Sequence, residues 1–62
     1  MEVTDLAELL RETEGRHGRY EPTAAPHRWS DWYAAYLVAR QDGRTPDDAA
    51  AEAGRYTEGL PR

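Results

Sequence analysis

Along VTDLAELLRETEGRHGRY the larger side chains recur at Val3, Leu6, Leu10, Thr13 and His17, in steps of three and four. That spacing sets them on one face of a helix, and Leu9 widens the stripe. The pattern predicts a first helix over residues 4–18. Thr4 or Asp5 stands at the N-cap, and Asp5 with Glu8 has the spacing of a capping box. Acidic residues gather early while Arg11, Arg16 and Arg19 come late, as the helix dipole favours. Glu12 and Arg16 add an i,i+4 pair, whereas Gly15 and Gly18 weaken the end. The following EPTAAP breaks the period. Pro22 and Pro26 remove backbone donors and push Glu21 and Ala25 toward extended conformations, so residues 21–27 read as a linker.

In HRWSDWYAAYLVARQ the large residues fall at Trp29, Trp32, Tyr33, Tyr36 and Leu37, with Arg40 continuing the line and Ala or Val filling much of the rest. This predicts a second helix over 30–42, capped by Ser30, with Asp31 in its first turn and Gly43 at its stop. A helix apolar over more than one face wants neighbours on two sides. The third signal is RTPDDAAAEAGRYTEG. Thr45 as cap, Pro46 at the first helical position and Asp47 and Asp48 beside the positive dipole end predict a helix over 46–58. Its buried side is expected at Ala49, Ala53 and Tyr56, with Ala50 and Leu60 beside them. The short QDGRT turn makes helices two and three antiparallel or steeply crossed neighbours. The fold class is therefore all-α: one small domain over 1–62, a helical hairpin of helices two and three plus an N-terminal helix. The linker is long enough for that first helix to pack on its own chain or to swap onto a neighbour in a dimer.

Composition sharpens this picture. At 62 residues the chain is near the size at which one core struggles against chain entropy. Leu and Val together number seven, Ile is absent, and ten of the 24 apolar residues are Ala. The rings must therefore supply much of the burial. With no Cys there is neither a disulfide nor a thiolate zinc site to staple the scaffold, which leaves oligomerisation or docking on a partner protein. Four rings on one helix exceed what two thin helices cover, so Trp29, Trp32, Tyr33 and Tyr36, with His27 beside them, are the interface and binding candidates.

Charge narrows the classes further. The net charge of −4 argues against a nucleic-acid partner. All basic side chains but the histidines are Arg, and Lys, Ile, Asn and Phe are absent, which reads as a high-GC bacterial gene. No apolar run approaches a membrane span, and the start Met-Glu-Val-Thr-Asp has no signal-peptide character, so a cytoplasmic location is expected. Arg11, Arg16, Arg19 and Arg28 are interleaved with Glu12, Glu14 and Glu21, the pattern of a salt-bridged solvated face.

The candidate chemistry is sparse. His17, His27 and Asp31 are residue types that ligate metals, but Pro26-His27 suggests a loop and His17 lies in a separate segment, so a structural or solvated role is expected and no metal ligand or cofactor is assigned. Ser30 has no base placed by any motif and reads as a cap. No catalytic residue is assigned, and the chain alone is not expected to be an enzyme.

Taken in order, LAELLRETEGRHGRYE, HRWSDWYAAYLVAR and GRTPDDAAAEA resemble a helical segment of small actinobacterial proteins, one that also forms the C-terminal extension of some glyoxalase and bleomycin-resistance-like proteins. The resemblance covers about residues 4–58 and rests on Trp29, Trp32, Tyr33, Ala34, Ala35 and Tyr36 and on the Gly43-Arg44-Thr45-Pro46 turn. It implies a helical fold and no chemistry of its own. Two functions follow as expectations: an interaction module that self-associates or docks through its aromatic helix, or a small-molecule-binding or accessory subunit of a glyoxalase-like protein.

Overall fold

The computed structural model describes residues 2–24 and 26–61. Helix α1 spans Val3–Tyr20, a 3-10 turn follows at Glu21–Thr23, and helices α2 (Trp29–Gln41) and α3 (Pro46–Glu58) form the hairpin. The most extensive packing joins α2 and α3, and α1 lies across both, so the all-α architecture is as the periodicity implies. Among the described residues no helix is long and apolar enough to cross a membrane.

The turn between α2 and α3 follows the sequence closely. Gly43 adopts φ +91, a conformation that a side chain would disfavour. Its N–H donates to Arg40 O at 3.0 Å and the Arg44 N–H to Ala39 O at 3.1 Å, which closes a Schellman motif on the last carbonyls of α2. Thr45 then caps α3 by accepting from the Asp48 N–H at 3.2 Å. Elsewhere the ends depart from expectation. Helix α1 begins after Glu2 and α2 after Arg28, neither with a side-chain cap, so Thr4, Asp5 and Ser30 do not serve as caps.

The greater departure is at Glu21. Its backbone is helical, φ −47 and ψ −48, although Pro22 follows it. The Glu21 N–H donates to His17 O, and the missing Pro22 donor falls where α1 tightens into a 3-10 turn. Helix α1 thus runs through Gly15 and Gly18, and the expected linker shrinks. Ala25, also expected to be extended, lies outside the described residues.

The core is built on rings and methyls. Trp32 and Tyr36 are wholly enclosed, with Ala39, Ala49 and Ala53 around them and Leu9, Tyr20, Tyr33, Ala35 and Ala50 packed at the margin. Trp32 stacks on Tyr36 at 5.3 Å and 16° between planes. From α1, Tyr20 and His17 close over the indole at 5.6 Å and 5.2 Å. The buried face of α1 is therefore Thr13 and His17 with Leu9 and Tyr20. Val3, Leu6 and Leu10 are exposed instead, because packing on the hairpin is centred on the rings near the C-terminal half of α1. In α3, Ala49, Ala53, Gly54 and Thr57 face inward while Tyr56 is half exposed. Gly54 explains that rotation. The Tyr20 ring packs closely over it, so that a Cβ there would stand only 3.3 Å from Tyr20 Cε1.

Truncation of Trp32 removes the shared contact of all these groups. We expect Trp32→Ala to cost about 3–5 kcal/mol, comparable to the whole stability of so small a domain, and to abolish the helical circular dichroism at room temperature. A variant that stays helical and melts within a few degrees of the parent would contradict this account of the core.

Candidate functional site

The five residues expected at an interface separate in the fold. Trp32 and Tyr36 are enclosed by the chain's own helices and are core, which corrects their assignment as surface anchors. Each sits on the α2 face that meets both α1 and α3. Trp29 is 64% exposed and Tyr33 is half buried, and their rings meet edge to face at 5.1 Å and 82°. Together with Leu10, Arg11 and Glu14 they line a shallow groove between α1 and α2. Tyr33 titrates higher than an ordinary tyrosine because burial disfavours its anion, with Glu14 adding to the effect. A second hollow, about 640 Å³ and open to solvent, lies between α2 and α3 over Ala34, Ala35 and Val38, with Arg44, Glu52, Arg55 and Tyr56 at its edge.

His27 enters a different constellation. Its Nε2 lies 2.9 Å from Nε2 of His17, so one of the two nitrogens carries the shared proton. Glu21 Oε1 stands 3.1 Å from the same His17 nitrogen and 3.6 Å from that of His27. Both imidazoles are nearly enclosed, at 11% and 7% side-chain exposure, whereas the carboxylate is 54% exposed. The rings are held by their neighbours: His17 lies 5.4 Å from Tyr33 and 5.2 Å from Trp32, and His27 lies 5.3 Å from Tyr20. Asp31, which the sequence pairs with His27 by spacing, is not in this group. Glu21 takes its place because the helical backbone before Pro22 puts its carboxylate one turn beyond His17. The i,i+4 spacing of His17 and Glu21 is visible in the sequence, and only the expectation that a residue before proline is extended conceals it.

A third polar cluster joins α1 to α2. Glu12 accepts from the Tyr36 hydroxyl at 2.6 Å and from Arg40 Nε at 2.8 Å, with Arg40 Nη2 at 3.4 Å from its other oxygen. Arg40 also donates from Nη1 to Arg44 O at 2.8 Å, which ties the clamp to the α2–α3 turn. Thr57 donates to the carbonyls of Ala53 and Gly54, both at 3.1 Å, which leaves its oxygen to accept from Tyr20 at 3.2 Å. Trp32 Nε1 is enclosed without a hydrogen-bond partner among the described residues. Leaving such a donor unpaired costs about 1–3 kcal/mol, offset here by the packing of the ring.

No protein-family model, curated protein or solved structure matches the chain.

The Glu12 clamp has opposite signatures in acid and base. The Arg40 hydrogen bond holds Glu12 below its ordinary value of 4.5, against the opposing effect of burial and with help from Tyr36. The unfolded chain therefore takes up this proton more readily, so the stabilisation is complete above pH 4.5 and is lost as the pH falls through the folded-state value. Tyr36 is pushed up to about 12, first by burial and then by its bond to Glu12. Its contribution is complete below pH 10 and is lost as the pH rises from 10 to about 12. Thermal melts against pH check both signs. Glu12→Gln should lower stability by about 1–3 kcal/mol at neutral pH, and the gap from the parent should close in acid. Tyr36→Phe should flatten the alkaline limb. A gap that stays constant with pH would contradict the assignment.

Proposed function

We propose that this chain is a helical association module that pairs with a second copy of itself through the α1–α2 groove. The observation that carries the reading is Trp29, a large ring left 64% exposed on a scaffold whose other indole is fully buried. Its ring packs edge to face with that of Tyr33. Leu10 lines the same groove, and Leu6 lies one turn back on the same side of α1, so the apolar surface extends beyond a single residue.

The groove carries Arg11 and Glu14 along with its apolar residues. A twofold axis through it would set Arg11 of one copy against Glu14 of the other, and the reverse, which is the self-complementarity an isologous dimer needs. Burial of Trp29 in such a junction would make it the principal anchor, as tryptophans in dry interface centres are. Pairing also adds apolar burial that a chain with seven Leu and Val residues cannot find within itself.

Light scattering after size exclusion, at two concentrations tenfold apart, tests this directly. The expected result is a dimer at the higher concentration. Trp29→Ala should remain helical and shift to monomer, with a loss of roughly 2 kcal/mol or more in association. A parent that is monomeric at both concentrations, or a Trp29→Ala variant of unchanged mass, would overturn the reading.

A further inference from the structure

The His17, Glu21 and His27 group adjoins the pairing surface only where His17 meets Tyr33, and its geometry invites a different chemistry. We propose that these three residues form a binding site for a divalent late first-row transition ion, for which zinc is the probe.

The argument begins with three atoms. His17 Nε2, His27 Nε2 and Glu21 Oε1 form a triangle with sides of 2.9, 3.1 and 3.6 Å. The circle through them has a radius of about 1.9 Å. An ion slightly out of that plane therefore reaches all three at the roughly 2.0–2.2 Å that imidazole nitrogen and carboxylate oxygen take with zinc. The required ligand atoms already converge, with no rearrangement of the backbone.

Donor type then selects the ion. Two imidazoles and one carboxylate suit zinc and its late first-row neighbours, whereas calcium and magnesium prefer oxygen cages. Three protein donors leave a coordination position open, and the solvent-exposed Glu21 marks the side on which a water or an exogenous donor completes the shell. Loading is balanced in protons. The nitrogen–nitrogen hydrogen bond holds one proton on an Nε2, and that nitrogen gives it up to solvent or shifts it to Nδ1 when the metal takes the lone pair.

Position gives the ion a structural consequence. His17 is on the last turn of α1, Glu21 opens the 3-10 turn, and His27 lies just before α2. A single ion spans the connector and fastens α1 to the start of α2. That is the role a metal commonly takes in scaffolds too small to be held by a core alone.

Tag-free protein titrated with zinc chloride by calorimetry, with parallel thermal melts and cobalt(II) absorption, tests the site. The expected result is one ion per chain at micromolar affinity or tighter, a raised Tm, and a cobalt spectrum with nitrogen and oxygen character. Glu21→Gln, at an exposed position, should keep the metal-free Tm within a few degrees and weaken zinc binding at least about tenfold. His27→Gln should do the same to binding. Absence of heat and Tm shift at millimolar zinc would overturn the proposal. So would zinc binding that both variants leave unchanged, or calcium binding as tightly as zinc.

Discussion

Enclosure of one indole is the constraint on which the fold depends. Trp32 touches a ring from its own helix, Tyr36, and two from α1, Tyr20 and His17. Around this centre α3 contributes little more than methyl groups and a glycine, so it can approach α2 closely. Tyr20 fills the space above Gly54 and hydrogen-bonds to Thr57, so the same ring that covers the indole also fixes α3 against α1. A chain with few aliphatic residues thereby joins three helices through one aromatic side chain and its neighbours.

The rings bring polar atoms with them, and the interior is correspondingly rich in hydrogen bonds. Tyr36 enters the core with its hydroxyl donated to Glu12 at the margin, where Arg40 donates to the same carboxylate oxygen. Thr13 and Thr57 return their hydroxyls to carbonyls of their own helices, Leu9 and Ala53, and so are buried without an orphaned group. By contrast the surface pair of Arg16 and Asp47, though only 2.7 Å apart, has Asp47 largely in water and contributes little. Stability thus rests on partly buried pairs that connect α1 to the hairpin, while the exposed charges mainly keep the surface hydrated.

The local signals in the sequence that matched the structure were those in which several residues agreed. Thr45, Pro46 and the two aspartates marked the start of α3, and Gly43 marked the end of α2, because each satisfies backbone groups without tertiary help. The faces of α1 and α3 were less legible. Val3, Leu6 and Leu10 have the right spacing for a core stripe, yet the packing centre lies farther along the helix, and periodicity does not say where along a face a partner sits. Tyr56 was displaced outward because Gly54 and Thr57 receive Tyr20, a pairing across 37 residues that no local pattern contains. The histidine and glutamate group was concealed by a general rule about residues preceding proline. Helix continuation, supported by the Glu21 bond to His17 O, prevailed over that preference.

The two tryptophans occupy opposite environments, one wholly enclosed among rings beside an imidazole and one mostly in water. Their emission therefore separates by wavelength: Trp32 emits from an apolar surrounding, whereas Trp29 emits from a hydrated one. The protein carries two intrinsic optical probes in a single helix, three residues apart, one reporting on the state of its interior and the other on whatever approaches its surface.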